Sequence, residues 1–148
     1  MLTFKRTNSV NQDFKKLVKL LNDELAGRDG PNHPLSQFNP IDQLKYVVLA
    51  YDKDIAIGCG AIEKYDFNTI EIKRMYVVSE SRGERVGTRI LSELEHWAQE
   101  LGSSKCFLFT GPNQPEAQKL YVRCGYKKIR KYGKLMSIPD AICFAKDL

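Results

Sequence analysis

The sequence predicts a mixed α/β domain in which one central sheet, mixed but mostly antiparallel, is flanked by helices on both faces. Two patterns carry this expectation. Residues 44–51, 55–65 and 70–78 are β-rich runs in immediate succession, separated only by the turn-forming residues 52–54 and 66–68, the mark of an antiparallel meander. Val86, Ile90, Leu91, Leu94, Trp97, Ala98 and Leu101 then recur at helical spacing, which predicts an amphipathic helix stopped by Gly102. A third observation sets the scale: 148 residues, 43% hydrophobic and 28% charged, suit one globular domain spanning 1–148.

The other elements follow in chain order. Residues 4–6 read as a first strand. Ser9, with Gln12 three places later, has the form of a capping box, opening a helix over 10–26 whose apolar Phe14, Leu17, Val18, Leu21 and Leu25 share one face. Residues 27–40 hold Gly27, Gly30, Pro31, Pro34 and Pro40, which break helices and strands alike, so a long loop or loosely helical lid is expected there. After the helix ending at Gly102, residues 106–110 read as a short buried strand and 115–124 as a helix closed by Gly125. Residues 126–129 and 142–145 read as closing strands.

Composition narrows the function. The N-terminus has no apolar core segment after its charges, and no stretch approaches the ~20 apolar residues of a membrane helix, so a cytoplasmic protein without a membrane partner is expected. Cys59, Cys106, Cys124 and Cys143 lie far apart, form no CxxC pair and have only His33 and His96 to complete a metal site. They read as reduced, mostly buried thiols, and no metal is expected. The net charge of +5 fits any anionic ligand, a polyphosphate included. The densest basic run, Lys127, Lys128, Arg130, Lys131 and Lys134, matches no nucleic-acid-binding signature and reads as a solvated face. His96 reads as structural and His33 as a surface histidine, or as a pocket-lining one if the loop that carries it folds over.

The segment Arg82-Gly83-Glu84-Arg85-Val86-Gly87-Thr88 joins a strand to the start of the amphipathic helix. A helix N-terminus flanked by glycines offers unpaired N–H groups and the positive end of the dipole, so an anion is expected there. The segment is neither a P-loop nor a GxGxxG turn. Together with Glu71-Ile72-Lys73-Arg74-Met75-Tyr76-Val77 before it, it resembles the core of the GNAT superfamily of N-acetyltransferases, whose pyrophosphate loop runs Arg/Gln-x-x-Gly-x-Gly/Ala. Arg82 and Gly87 match its ends, while Arg85 stands in place of the first glycine. Residues 117–126, with Leu120-Tyr121 and Gly125-Tyr126, resemble a second motif of the same superfamily, Gln114 taking the place of its usual Asn.

That resemblance implies a single-domain GNAT-like fold and an enzyme that moves an acetyl group from acetyl-CoA to a primary amine by direct attack in a ternary complex. It implies that Arg82, Gly83, Glu84, Arg85, Val86, Gly87, Thr88 and Gln114 hold the coenzyme, and that the backbone of Tyr76, Val77 and Val78 binds its pantetheine arm. Glu71, eleven positions before Arg82, stands where the histone acetyltransferase branch carries a general base. Tyr121 matches the tyrosine that faces the coenzyme sulfur and protonates the leaving thiolate. The acceptor amine is left open, its pocket expected from 21–43 and 131–141, and a homodimer is compatible with these readings. Arg85 motivates one alternative: a non-catalytic module that binds or senses acyl-CoA.

Overall fold

In the computed structural model, which describes residues 1–30, 33 and 43–148, strand β1 (Leu2–Thr7) leads into helix α1 (Gln12–Asp29). The helix is opened by Asn11, whose Oδ1 accepts from the N–H groups of Asp13 at 2.8 Å and Phe14 at 3.1 Å. Two of the four unpaired first-turn donors are thereby satisfied. The Ser9–Gln12 capping box is not formed: Ser9 is buried with its N–H spent on the Leu44 carbonyl, and Gln12 is already the first helical residue. The helix also runs past the expected stop at Ala26. It tolerates Gly27 and ends where Gly30 takes φ 90° and returns its N–H to the Ala26 carbonyl. Of the loop or lid expected over 27–40, residues 27–29 are thus helical, and 31–32 and 34–40 lie outside the described residues.

Strands β2 (Tyr46–Asp52), β3 (Ile55–Lys64) and β4 (Thr69–Val77) form the expected meander, followed by helix α2 (Val86–Glu100). Then come β5 (Lys105–Thr110), helix α3 (Pro115–Arg123), β6 (Lys127–Ile129) and β7 (Ile142–Asp147). They build one seven-stranded sheet in the order β1-β2-β3-β4-β5-β7-β6. Every neighbouring pair is antiparallel except β4 and β5, which are parallel.

Side chains alternate across the sheet. Val47, Leu49, Cys59 and Ala61 bury one face against Phe14, Leu17 and Val18 of α1. Val48, Ala50, Ile62, Ile70 and Ile72 bury the other against Val86, Ile90, Leu91, Leu94 and Ala98 of α2, joined by Tyr121 of α3. A smaller cluster of Leu135, Ile138, Ala141 and Cys143 supports the end of the sheet. All four cysteines are free thiols, and burial pushes Cys59 and Cys106 up to about 12, so neither is a ready nucleophile.

Two local features shape the middle of the sheet. The β4–β5 pairing spans only Thr69, Ile70 and Glu71 against Lys105, Cys106 and Phe107, so the two strands part beyond Glu71. On the opposite edge of β4, Tyr76 pairs with Cys59 and Lys73 with Ala61, leaving Arg74 and Met75 opposite Gly60 alone. This is a β-bulge, and Arg74 takes the left-handed conformation, φ 57°, that the extra residue demands.

Helix α2 crosses the sheet over Gly58 and Gly60, where absent side chains let it approach. A Cβ built on Gly60 would lie 2.6 Å from Met75 Sδ, 2.8 Å from Leu94 Cδ1 and 3.0 Å from Ile90 Cγ2. Gly60→Val is therefore expected to cost about 1–3 kcal/mol by overpacking. Gly27→Ala, a helical site with nothing within 4 Å, should gain about 0.5–1 kcal/mol. Urea unfolding of both variants checks the pair, and equal midpoints would contradict the assigned packing.

Candidate active site

The turn between β4 and α2 has the geometry of an anion cradle. Gly83 takes φ 86° and Arg85 takes φ 64°, ψ 20°, so the position where Arg85 replaces a glycine is a left-handed one. Helix α2 begins directly afterwards, with no side chain capping it and no acidic residue in its first turn. Its first N–H groups and the positive end of its dipole are left to a ligand. Arg82 turns back over this groove: its Nε donates to the Val77 carbonyl at 2.8 Å, and its Nη2 pairs with Glu24 of α1 at 2.9 Å.

A cavity of about 570 Å³ lies along this turn, lined by Tyr76, Val77, Arg82, Gly83, Arg85, Val86, Gly87, Thr88 and Gln114 of the expected residues. Val78 and Glu84 do not line it. The Val78 N–H is bound to the Ile57 carbonyl and its side chain packs on both cores, while Glu84 is exposed. The structure adds Arg28, Lys119 and Arg123, so among the described residues five cationic side chains surround the cavity against two carboxylates, Glu24 and Glu116. The last turn of α1 supplies Arg28 and helix α3 supplies Lys119 and Arg123, and only contact in the fold singles them out from other surface charges.

A second cavity of about 390 Å³ opens between the end of α1, the bulged stretch of β4 and the end of β5. The two cavities share Leu21, Leu25, Met75, Gln114 and Tyr121, and meet there. Tyr121 is 6% exposed, stacked edge-on against Tyr126, and burial raises its pKa well above that of a free phenol. Asn22, Asp23, Asp29, Lys73 and Arg74 supply the charged and polar wall of the second cavity. Of the stretch 21–43, from which the acceptor pocket is expected, Leu21, Asn22, Asp23, Leu25, Ala26, Asp29, Gly30 and His33 line this cavity. None of 131–141 lines the cavity, although Asp140 reaches its edge through His33.

His33 corrects the surface reading. It lines the second cavity, its side chain is 14% exposed, and its Nε2 lies 2.7 Å from Asp140 Oδ2. His96 is exposed on α2 and lines neither cavity. Glu71 also lines neither cavity, although Ile72 to Met75 directly after it all line the second. Its half-buried carboxylate accepts from the Tyr132 hydroxyl and lies 3.5 Å from Lys73 Nζ, which also pairs with Glu63 at 2.8 Å. Among the described residues no group of three His, Cys, Asp or Glu is placed to hold a metal ion, and no helix is long and apolar enough to cross a membrane.

Comparison with known proteins places this geometry. The chain is similar to "Probable N-acetyltransferase 14" of Xenopus tropicalis, 39% identical over 88 residues that cover 59% of this chain and 43% of that relative. It spans less than two thirds of the length of the curated relatives it matches. Among solved structures, a Klebsiella pneumoniae protein assigned to the acyl-CoA N-acyltransferases superposes with a TM-score of 0.85 at 26% identity, covering 100% of this chain and 98% of that one. An Elizabethkingia anophelis acetyltransferase solved with acetyl-CoA bound has the same fold, with a TM-score of 0.72 at 18% identity over 99% of this chain and 98% of its own. Residues 14–126 match the acetyltransferase (GNAT) family, and the chain belongs to that family.

Proposed function

We propose that this protein is an N-acetyltransferase that takes the acetyl group of acetyl-CoA and gives it to a primary amine of a small molecule or peptide in one ternary complex. The observation that carries the reading is the meeting of two cavities at Tyr121. One has a helix N-terminus and five cations suited to a pyrophosphate, and the other is a separate chamber of a size for an acceptor. Acetyl-CoA bound to a structural neighbour of the same fold supports the assignment of the first. The thioester then lies at the junction. An amine in the second cavity attacks its carbonyl carbon, the C–S bond breaks, and Tyr121 donates a hydrogen bond to the departing thiolate. Holding both reactants together supplies most of the rate.

The amine must also lose a proton. Glu71 is our proposed acceptor for it, reached through water at the Lys73 wall, because a carboxylate that lines neither cavity takes no proton by direct contact. The alternative, a module that binds acyl-CoA without turnover, draws on Arg85 in the place of a glycine. A thermal-shift comparison of acetyl-CoA, free CoA and DNA, followed by thiol release with a mixed panel of amines, separates the two readings.

Two predictions follow from the site. Arg85→Gly removes a left-handed arginine in favour of the residue that adopts this conformation freely, so stability should hold or rise by up to about 1 kcal/mol. Acetyl-CoA affinity should fall and lose part of its salt dependence as one cation leaves the groove; calorimetry at two ionic strengths reads both, and tighter binding would show that the side chain obstructs the loop. Tyr121→Phe and Glu71→Gln should each lower kcat by 10²-fold or more while coenzyme affinity changes little. Rates within twofold of wild type across pH 6 to 9 would confine Glu71 to holding Tyr132 and Lys73.

A further inference from the structure

Helix α3 carries Glu116, Lys119 and Arg123 along one face, at spacings of three and four residues, and all three line the larger cavity. Glu116, three places before Lys119, is the carboxylate on this face that could neutralise it. It is taken instead by Arg28 of α1 at 2.9 Å. Lys119 and Arg123 are exposed and make no ion pair or side-chain hydrogen bond among the described residues. They stand four residues apart, a spacing at which like charges repel each other along a helix. The last-turn position suits Arg123 to the helix dipole, whereas Lys119, one turn earlier, has no such reason to be a cation. Contacts between α2 and α3 fix where the pair lies. A Cβ built on Gly87 would sit 3.1 Å from Leu120 Cδ2, next to Lys119, and Thr88 Oγ1 lies 3.9 Å from the Sγ of Cys124, next to Arg123. The two cations are therefore carried beside the first turn of α2, next to the anion cradle rather than in it.

We propose that Lys119 and Arg123 form the receptor for the 3′-phosphate of coenzyme A, so that the groove distinguishes the complete coenzyme from its 3′-dephospho form. This rests on the reading of the larger cavity as the acetyl-CoA groove. Charge accounting separates the two anions of the coenzyme. The pyrophosphate carries one charge on each phosphate, and the cradle answers it with the unpaired N–H groups of α2, the helix dipole, and Arg85 at the helix cap. Arg82 and Arg28 already hold Glu24 and Glu116. Lys119 and Arg123 are left over, outside the turn. A phosphate monoester near neutral pH carries about −1.5 to −2 charges and three acceptor oxygens, which asks for more than one cation. The four-residue rise along α3 is about 6 Å, so the two side chains can reach one phosphate from either side. Arg123 then offers parallel N–H donors and Lys119 a compact point charge. The phosphate also relieves the repulsion between them. Covalent structure sets the same place: the ribose that bears the 3′-phosphate is esterified to the pyrophosphate, so the third phosphate lies within one sugar of the cradle, as the pair does.

Calorimetry on the whole chain compares CoA with 3′-dephospho-CoA, ligands that differ only in this phosphate. Wild type is expected to bind CoA at least tenfold more tightly at low ionic strength, and added salt should shrink the advantage. In the double variant Lys119→Gln, Arg123→Gln the ratio should fall to within twofold. That fall should come from CoA alone, with the affinity for dephospho-CoA staying within about threefold of wild type. Charge reversal, Lys119→Glu with Arg123→Glu, should turn the preference over to the dephospho form. Arg85→Gly is the control: Arg85 lies in the cradle, so its loss should change both affinities alike and leave the ratio intact. Both α3 side chains are exposed, and an unchanged melting temperature without ligand identifies folded variants. A wild-type ratio within twofold, or a ratio that the double Gln variant leaves intact, would overturn the receptor and leave the coenzyme groove standing. Binding of neither ligand would overturn the groove reading and the receptor with it.

Discussion

The parting of β4 from β5 is the constraint on which the rest of this molecule depends. Three residues of each strand pair in parallel, and beyond Glu71 the two diverge. Among the described residues the β5-facing edge of Ile72 to Val77 is then left without a strand partner, and backbone groups so placed demand one from elsewhere. Both cavities occupy this wedge. Ile72 to Met75 wall the smaller cavity and Met75 to Val77 the larger. Arg82 already answers the demand at one carbonyl, that of Val77. An extended ligand arm lying in the wedge would add itself to the sheet in the same manner.

The charges around the groove favour exchange over permanence. Arg82 holds Glu24, and Arg28 holds Glu116, both at 2.9 Å, so α1 is tied to the phosphate turn and to α3. The partners are partly exposed, with Glu116 at 66%, and pairs of that kind contribute about 0–1 kcal/mol. A pyrophosphate presents several full charges to the same cations and to the helix N-terminus at once. Breaking the protein's own pairs costs little against that gain, so these ion pairs hold the walls of the groove in order without competing seriously with a ligand.

What the sequence makes legible is what repeats locally. The meander and α2 follow from periodicity, and the phosphate turn from the spacing of Gly83 and Gly87. The misplaced start of α1 has a cause distant in sequence: Ser9 and Asn11 are both good caps, and the Ser9 N–H is taken by Leu44, thirty-five residues away. The lining of the smaller cavity was legible only as a region. His33 meets Asp140 across 107 residues, and Arg74 becomes a cavity residue because a bulge of β4 against Gly60 turns it there. A run such as Lys73-Arg74 carries no mark of which side chain will be solvated and which buried. Glu71 shows the reverse limit. Its distance along the chain from Arg82 is as the resemblance requires, yet the side chain faces Tyr132 and Lys73.

Proton accounting gives Tyr121 and Glu71 unequal parts in the proposed reaction. A free phenol titrates near ~10 and a thiol near ~8.5, so handing a proton from tyrosine to a thiolate is uphill by about 2 kcal/mol even in water. Burial raises Tyr121 further. Full transfer from Tyr121 is therefore the costlier path, and its contribution is a directed hydrogen bond that stabilises sulfur as negative charge collects there. An oriented donor in a dry site stabilises developing charge without having to ionise. The proton that finally neutralises the thiolate comes from solvent or, by way of the acceptor chamber, from the amine itself. The amine gains acidity as its nitrogen bonds to the acetyl carbon, so the transfer becomes downhill late in the step. The chemistry so proposed asks of the fold chiefly that β4 and β5 stay apart.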